Sequence, residues 1–166
     1  MDETLDPNRR LDIEGAHNVR DLGGYRTRDG NSTRWLRFLR ADTLHRLSPA
    51  VRIALVDYGV RTIIDLRQTN ETRAEPNVFA HSAEVAYHHL NMIGDEPLGI
   101  EPAPGEADRP QQIAHGYCGY LDKRQAQVNR IPATLARAEN QAALYHCAAD
   151  MAERYNNPAR QPMPIL

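Results

Sequence analysis

Cysteine is scarce in this chain. Its 166 residues hold two, Cys118 and Cys147. Two thiols cannot build a disulfide framework, so the expectation is reduced thiols in the cytoplasm. Long apolar runs are missing too: none reaches the roughly 18 residues needed to cross a bilayer, so no membrane span is expected. Met1 to Arg10 are polar and charged, unlike a signal peptide. Neither charge sign dominates. Twenty Lys and Arg face 22 Asp and Glu, for a net charge of −2, which argues against a nucleic-acid partner or a polybasic membrane patch. No His/Cys/Asp spacing fits a zinc or iron site, so no metal and no cofactor is assigned. His88 and His89 are adjacent on an expected strand and so point to opposite faces. No internal repeat is visible, and the length suits one domain.

The apolar pattern reads as α/β. Residues 1–15 read as a loose lead-in. Trp35-Leu36-Arg37-Phe38-Leu39 alternates like a strand. Ser48-Pro49 starts a helix, since Ser caps and Pro suits the first helical position. Val51, Leu55 and Tyr58 share one helix face, and Gly59 ends the helix. Val60 to Leu66 is β-branched and strand-like. Strand, helix and strand with short links imply a right-handed crossover and a parallel sheet. Val85 to Leu90 reads as a third strand. Residues 93–110 hold four prolines, three glycines and five acidic residues, and read as a long mobile loop of the kind used as a lid. Ile113, Tyr117, Tyr120 and Leu121 keep helical spacing. So do Val128, Ile131, Leu135 and Ala138, with Pro132 starting or kinking that helix. Ala142 to His146 is apolar on both faces and should be a central strand.

That strand runs into His146-Cys147-Ala148-Ala149, and here the chemistry begins. A free cysteine has a pKa of about 8.5. At a strand-to-helix turn, backbone N–H groups and the helix N-terminus stabilise a thiolate. The same N–H groups can cradle phosphoryl oxygens. Ala148 and Ala149 are small enough for the backbone to approach a ligand closely, and His146 can brace the loop by hydrogen bonding. Taken alone, the tetrapeptide also fits a buried cysteine at a strand end. Cys118 reads as a small half-buried filler on a helix.

Three further stretches add specificity: Asn18-Val19-Arg20-Asp21-Leu22-Gly23-Gly24-Tyr25, Leu39-Arg40-Ala41-Asp42 and Ile64-Asp65-Leu66-Arg67. Together with His146-Cys147, they resemble the bacterial tyrosine/serine phosphatase family of cysteine-dependent phosphatases. The resemblance runs over about residues 13–149. It implies a three-layer α/β domain with a short, mainly parallel central sheet. It also implies a phosphorylated protein or small phosphomonoester as partner. By the same resemblance Cys147 is the nucleophile, and His146, Ala148 and Ala149 line the phosphate. An aspartic acid supplies the proton; Asp95, in the segment after the third strand, is the candidate. Asp65, Arg67 and Arg20 are supporting residues. The alternative for Asp65 and Arg67 is a structural ion pair. Asn18, Arg20 and Asp21 are expected to organise the N-terminal segment.

The family loop reads His-Cys-x-x-Gly-Lys-Asp-Arg-Thr-Gly. This chain continues instead with Asp150-Met151-Ala152-Glu153-Arg154-Tyr155. The arginine expected six positions after Cys147 is Glu153, and the loop acid is Ala152. All the departures fall after Ala149, which suggests a truncation or frameshift there. The expectation is a phosphatase-like domain at 13–149 that lacks the C-terminal helices, with a disordered tail at 150–166. Weakened or absent activity is also expected. The rivals to an active enzyme are a binding module without turnover and an unstable fragment with one sheet face uncovered.

Overall fold

The computed structural model describes residues 7–16, 18–92, 94–96, 109–138 and 141–148. Its strands are β1 (Arg20–Asp21), β2 (Phe38–Ala41), β3 (Val60–Asp65), β4 (Ala86–His89) and β5 (Ala142–His146). Its helices are α1 (Pro49–Asp57), α2 (Thr69–Ala74), α3 (Arg109–Lys123) and α4 (Gln125–Arg137), preceded by a 3-10 turn over Pro7–Arg9. The strands form one sheet in the order β1-β2-β5-β3-β4. β2, β5, β3 and β4 are parallel, and β1 adds antiparallel at the edge. β5 is thus central, as its two-sided apolar character requires.

α1 begins as its sequence dictates. Ser48 is the N-cap, with the Val51 N–H donating to its hydroxyl, and Pro49 follows. Gly59 adopts φ +106, a left-handed value that suits glycine after a helix end. α1 lays Leu55 and Val56 on the sheet face carrying Leu39, Ile63 and Leu144, where Phe79, Val85 and Leu44 complete the main core. The second face is smaller. There Ile64, Leu66 and Leu90 form a cluster with Ile131 and Leu135 of α4, Tyr145 and Cys147. Helix, sheet and helix make the three layers.

Several expectations change. The strand expected over 35–39 begins only at Phe38 and runs to Ala41. Trp35 lies so close to Gly23 that a Cβ there would sit 2.5 Å from its ring, and Leu36 takes φ +58. The chain therefore turns before it can pair with β5. This contact is also why the Gly23-Gly24 pair is needed. The lead-in is not loose from residue 7 onward. Arg9 is buried, donates to the Gly23 and Gly24 carbonyls, and stacks 3.7 Å from the Tyr25 ring centroid. Leu11 and Ile13 pack against the main core. The second face is covered in part by α4, not left bare. Ile113 and Cys118 lie on α3, where Cys118 is exposed and not half-buried. Pro132 sits inside α4. Of the expected 93–110 loop, residues 94–96 and the first two residues of α3 are described. The expected tail at 150–166 lies outside the described residues. No described helix is long and apolar enough to cross a membrane.

Candidate active site

The parallel register brings Ala41, His146, Asp65 and His89 into one row at the C-terminal edge of the sheet. Ligands bind at this edge in open α/β sheets. Cys147 follows His146 directly, half-buried against the second-face cluster. Ala148 is described beside it, also half-buried. Ala149, Glu153 and Arg154 lie outside the described residues.

The residue before Cys147, His146, faces a buried polar knot on the main-core face of the sheet. Asp65 is fully buried, and Arg67 is 1% exposed. The Arg67 Nε donates to Asp65 Oδ1 at 2.9 Å, and its NH2 donates to Oδ2 at 2.7 Å. Its NH1 donates to the Glu75 carbonyl at 2.9 Å and lies 3.3 Å from the Thr43 hydroxyl. The Tyr87 hydroxyl also donates to Asp65, at 2.9 Å. The Arg67 guanidinium is thus spent on the fold: it ties β3 to the segment after α2. Burial would raise the Asp65 pKa, but His146 and Arg67 beside it hold it well below the usual carboxylate range. Burial and the Asp65 charge push the Tyr87 pKa upward.

We assign the effect on Asp65 mainly to Arg67, because Asn77 decides where the His146 proton sits. Asn77 is 4% exposed. Its Oδ1 accepts from the Phe79 N–H at 2.9 Å, which fixes the amide orientation. Its Nδ2 must then donate to His146 Nε2, 2.8 Å away. Nε2 is the acceptor, and the imidazole proton sits on Nδ1. His146 Nδ1 has no partner among the described residues, although the ring is buried. The imidazole lies 3.4 Å from Asp65 through the nitrogen that carries no proton. Asn77→Leu is expected to lower stability by about 1–3 kcal/mol for each of the two groups left unpaired. Chemical denaturation measures this.

Asp95 is in the segment after β4, as expected. Its carboxylate accepts from the Thr69 amide at 2.9 Å, the Thr69 hydroxyl at 2.6 Å and Asn91 Nδ2 at 2.9 Å. The Thr69 contacts, with Asn91, hold its pKa below the usual range. This geometry clasps the segment to the start of α2 and favours the ionised form. Arg20 is exposed on β1, opposite Arg40. Its neighbour Asp21 is fully buried and accepts from the Gly23 and Leu36 N–H groups and the Tyr58 hydroxyl. Burial and the nearby Asp21 charge push the Tyr58 pKa up to about 12. Asp21 thus shapes the N-terminal segment.

Asn77, Tyr87 and Thr43 are the members of the knot that sequence reading does not find. Asn77 follows a proline in an irregular stretch, and nothing local marks it as facing a residue 69 positions away.

A cysteine on the C-terminal edge of a central parallel strand, next to a histidine that faces a buried carboxylate–guanidinium pair, defines an α/β domain of the cysteine-phosphatase type. A family model described as "Tyrosine phosphatase family" matches residues 11–149, and the chain belongs to that family. It is also 29% identical over 112 residues to a tyrosine-protein phosphatase of Nostoc commune. That match covers 68% of this chain and 37% of the relative, so the chain spans well under half the length of that curated relative.

Proposed function

We propose that this domain hydrolyses phosphomonoesters, phosphotyrosine in proteins first among them, through a phosphocysteine on Cys147. The observation that carries the proposal is the position of Cys147: at the end of the central strand β5, between the ends of β2 and β3, in a chain that matches the tyrosine phosphatase family model. In the first step the Cys147 thiolate attacks phosphorus, forming the S–P bond as the ester P–O bond breaks. The leaving oxygen takes a proton from an acid. In the second step water attacks phosphorus, the S–P bond breaks, and phosphate leaves as the acid site takes the water proton.

Asp95 fills the acid role in this proposal once substrate draws it from Thr69. Its low pKa keeps it ionised at neutral pH, which slows the first step. Ala148 and Ala149 supply backbone N–H groups to the phosphoryl oxygens. His146, oriented by Asn77, braces the loop, while Asp65 and Arg67 support it through the His146 side. Glu153 stands where the family has its phosphate-binding arginine, so turnover is slow.

The test is hydrolysis of an aryl phosphate by the purified chain beside Cys147→Ser. Slow release of phosphate that the substitution abolishes is the expected result. Equal rates from the two proteins would refute hydrolysis through Cys147.

A further inference from the structure

One row of side chains beside this site has no part in the chemistry above. Arg20 of β1 is directly opposite Arg40 of β2, and Arg10 is opposite Arg20 through an isolated antiparallel bridge. On its other side Arg40 is in register with Tyr145 of β5. Directly opposed residues share a sheet face, so three arginines line up across adjacent strands in steps of about 4.8 Å. The row ends at Tyr145, two positions before Cys147 and on the same face. All three arginines are exposed. Arg10 pairs with Asp12 at 3.0 Å on the surface. Among the described residues, the side chains of Arg20 and Arg40 make no hydrogen bond or ion pair.

Like charges directly opposite one another destabilise a sheet. Among the described residues no carboxylate lies between Arg20 and Arg40, because Asp21 points to the other face and is satisfied there; Arg10 alone has one, Asp12. An anionic ligand would relieve this repulsion, and guanidinium groups bind carboxylates and phosphates in a bidentate manner. The surroundings set the shape of that ligand. α4 covers the β3 side of the same face through Ile131 and Leu135, and a helix with its side chains is about 10 Å across. The arginine row therefore lies on a step set back beside a helix. A flat bilayer meets the helix first, whereas an extended chain fits the step. Phe38, 42% exposed, lies two residues before Arg40 on the same face and offers an apolar neighbour.

We infer that the Arg10–Arg20–Arg40 row is a docking track for acidic side chains flanking the phosphorylated residue of an extended polypeptide substrate. Its role in substrate choice rests on the proposed phosphatase function; its affinity for acidic peptide does not.

The test is fluorescence anisotropy with a labelled, phosphate-free peptide of eight glutamates. Binding should weaken as salt is raised. It should fall at least tenfold in Arg20→Gln/Arg40→Gln, and less in Arg20→Lys/Arg40→Lys. Cys147→Ser and the control pair Arg130→Gln/Arg137→Gln should bind like the parent. Because Arg20 and Arg40 are exposed and repel each other, the double glutamine variant should melt no lower than the parent. Equal binding by the parent and Arg20→Gln/Arg40→Gln overturns the proposal. So does an equal loss in the Arg130/Arg137 control. Binding to phosphatidylserine vesicles but not to the peptide, abolished in Arg20→Gln/Arg40→Gln, assigns the row to a membrane and also overturns it. Peptide binding without any turnover refutes the hydrolase reading alone and leaves the track standing.

Discussion

Asp65→Asn is expected to lower the stability of the domain by about 3–5 kcal/mol, the usual cost of removing one partner from a buried ion pair. A domain of this size has about 5–15 kcal/mol in all, so this change removes a large share of it. Asp65 is fully buried and accepts from both the Arg67 guanidinium and the Tyr87 hydroxyl. The asparagine leaves the guanidinium buried without a counter-charge. Urea titration followed by circular dichroism measures the loss. Asp65→Asn/Arg67→Met removes both charges and should recover part of it. A midpoint unchanged from the parent in Asp65→Asn would show that the pair does not hold the fold.

The pH dependence follows from the same pair. The folded-state pKa of Asp65 lies below its unfolded value. Its contribution to stability is therefore fully present above the unfolded value of about 4 and is lost as pH falls through the folded value. The parent should lose stability steeply in acid, and Asp65→Asn should show a flatter profile over that window.

The largest expected gain in activity comes from the loop. Replacing Asp150-Met151-Ala152-Glu153 with Gly-Lys-Asp-Arg is expected to raise aryl-phosphate turnover by about 10³–10⁵-fold, by analogy with an arginine that stabilises a transferring phosphoryl group. Glu153→Arg alone should give the lower part of that gain. A carboxylate roughly 4 Å from a phosphoryl oxygen repels it by about 4 kcal/mol at an effective dielectric near 20, and the arginine reverses the sign. Glycine in place of Asp150 restores backbone freedom, and Ala152→Asp supplies a proton donor in the loop. Adding Cys147→Ser should abolish the gain. If both loop variants stay folded and hydrolyse no faster than the parent, the residues after Ala149 are not the limiting defect. Reading the coding DNA in three frames beyond Ala149 gives an independent check on the origin of the altered loop. The frameshift idea requires Gly-Lys-Asp-Arg in one of them.

Some elements were legible from local chemistry. α1 is set by Ser48, Pro49 and Gly59. β3 is set by its β-branched residues and β5 by its apolar run, which also makes β5 central. β1 was missed because two residues carry no period; it exists only because β2 and the Arg10 segment lie beside it. α2 was missed although Gln68 and Glu71 form a capping box at its start, since it has no buried residue to create an apolar stripe. Trp35 to Arg37 looked like strand because alternation cannot register a tryptophan packed against two glycines in a turn.

The sequence by itself determined the class of domain, the cysteine that ends its central strand, and the loss of the arginine pattern after Ala149. Each is written in contiguous residues with a local physical meaning. Only the tertiary structure decided what surrounds that cysteine. Strand register paired Asp65 with His146 and placed Arg10, Arg20 and Arg40 in one row. Chain reversal brought Asn77 and Tyr87 to a shared buried knot. Hydrogen bonds to Thr69 and Asn91 turned Asp95 into a clasp. Such relations join residues from 4 to 81 positions apart. The buried ones arise from the cost of leaving charges and amides unpaired, which is settled only when the distant segments pack together.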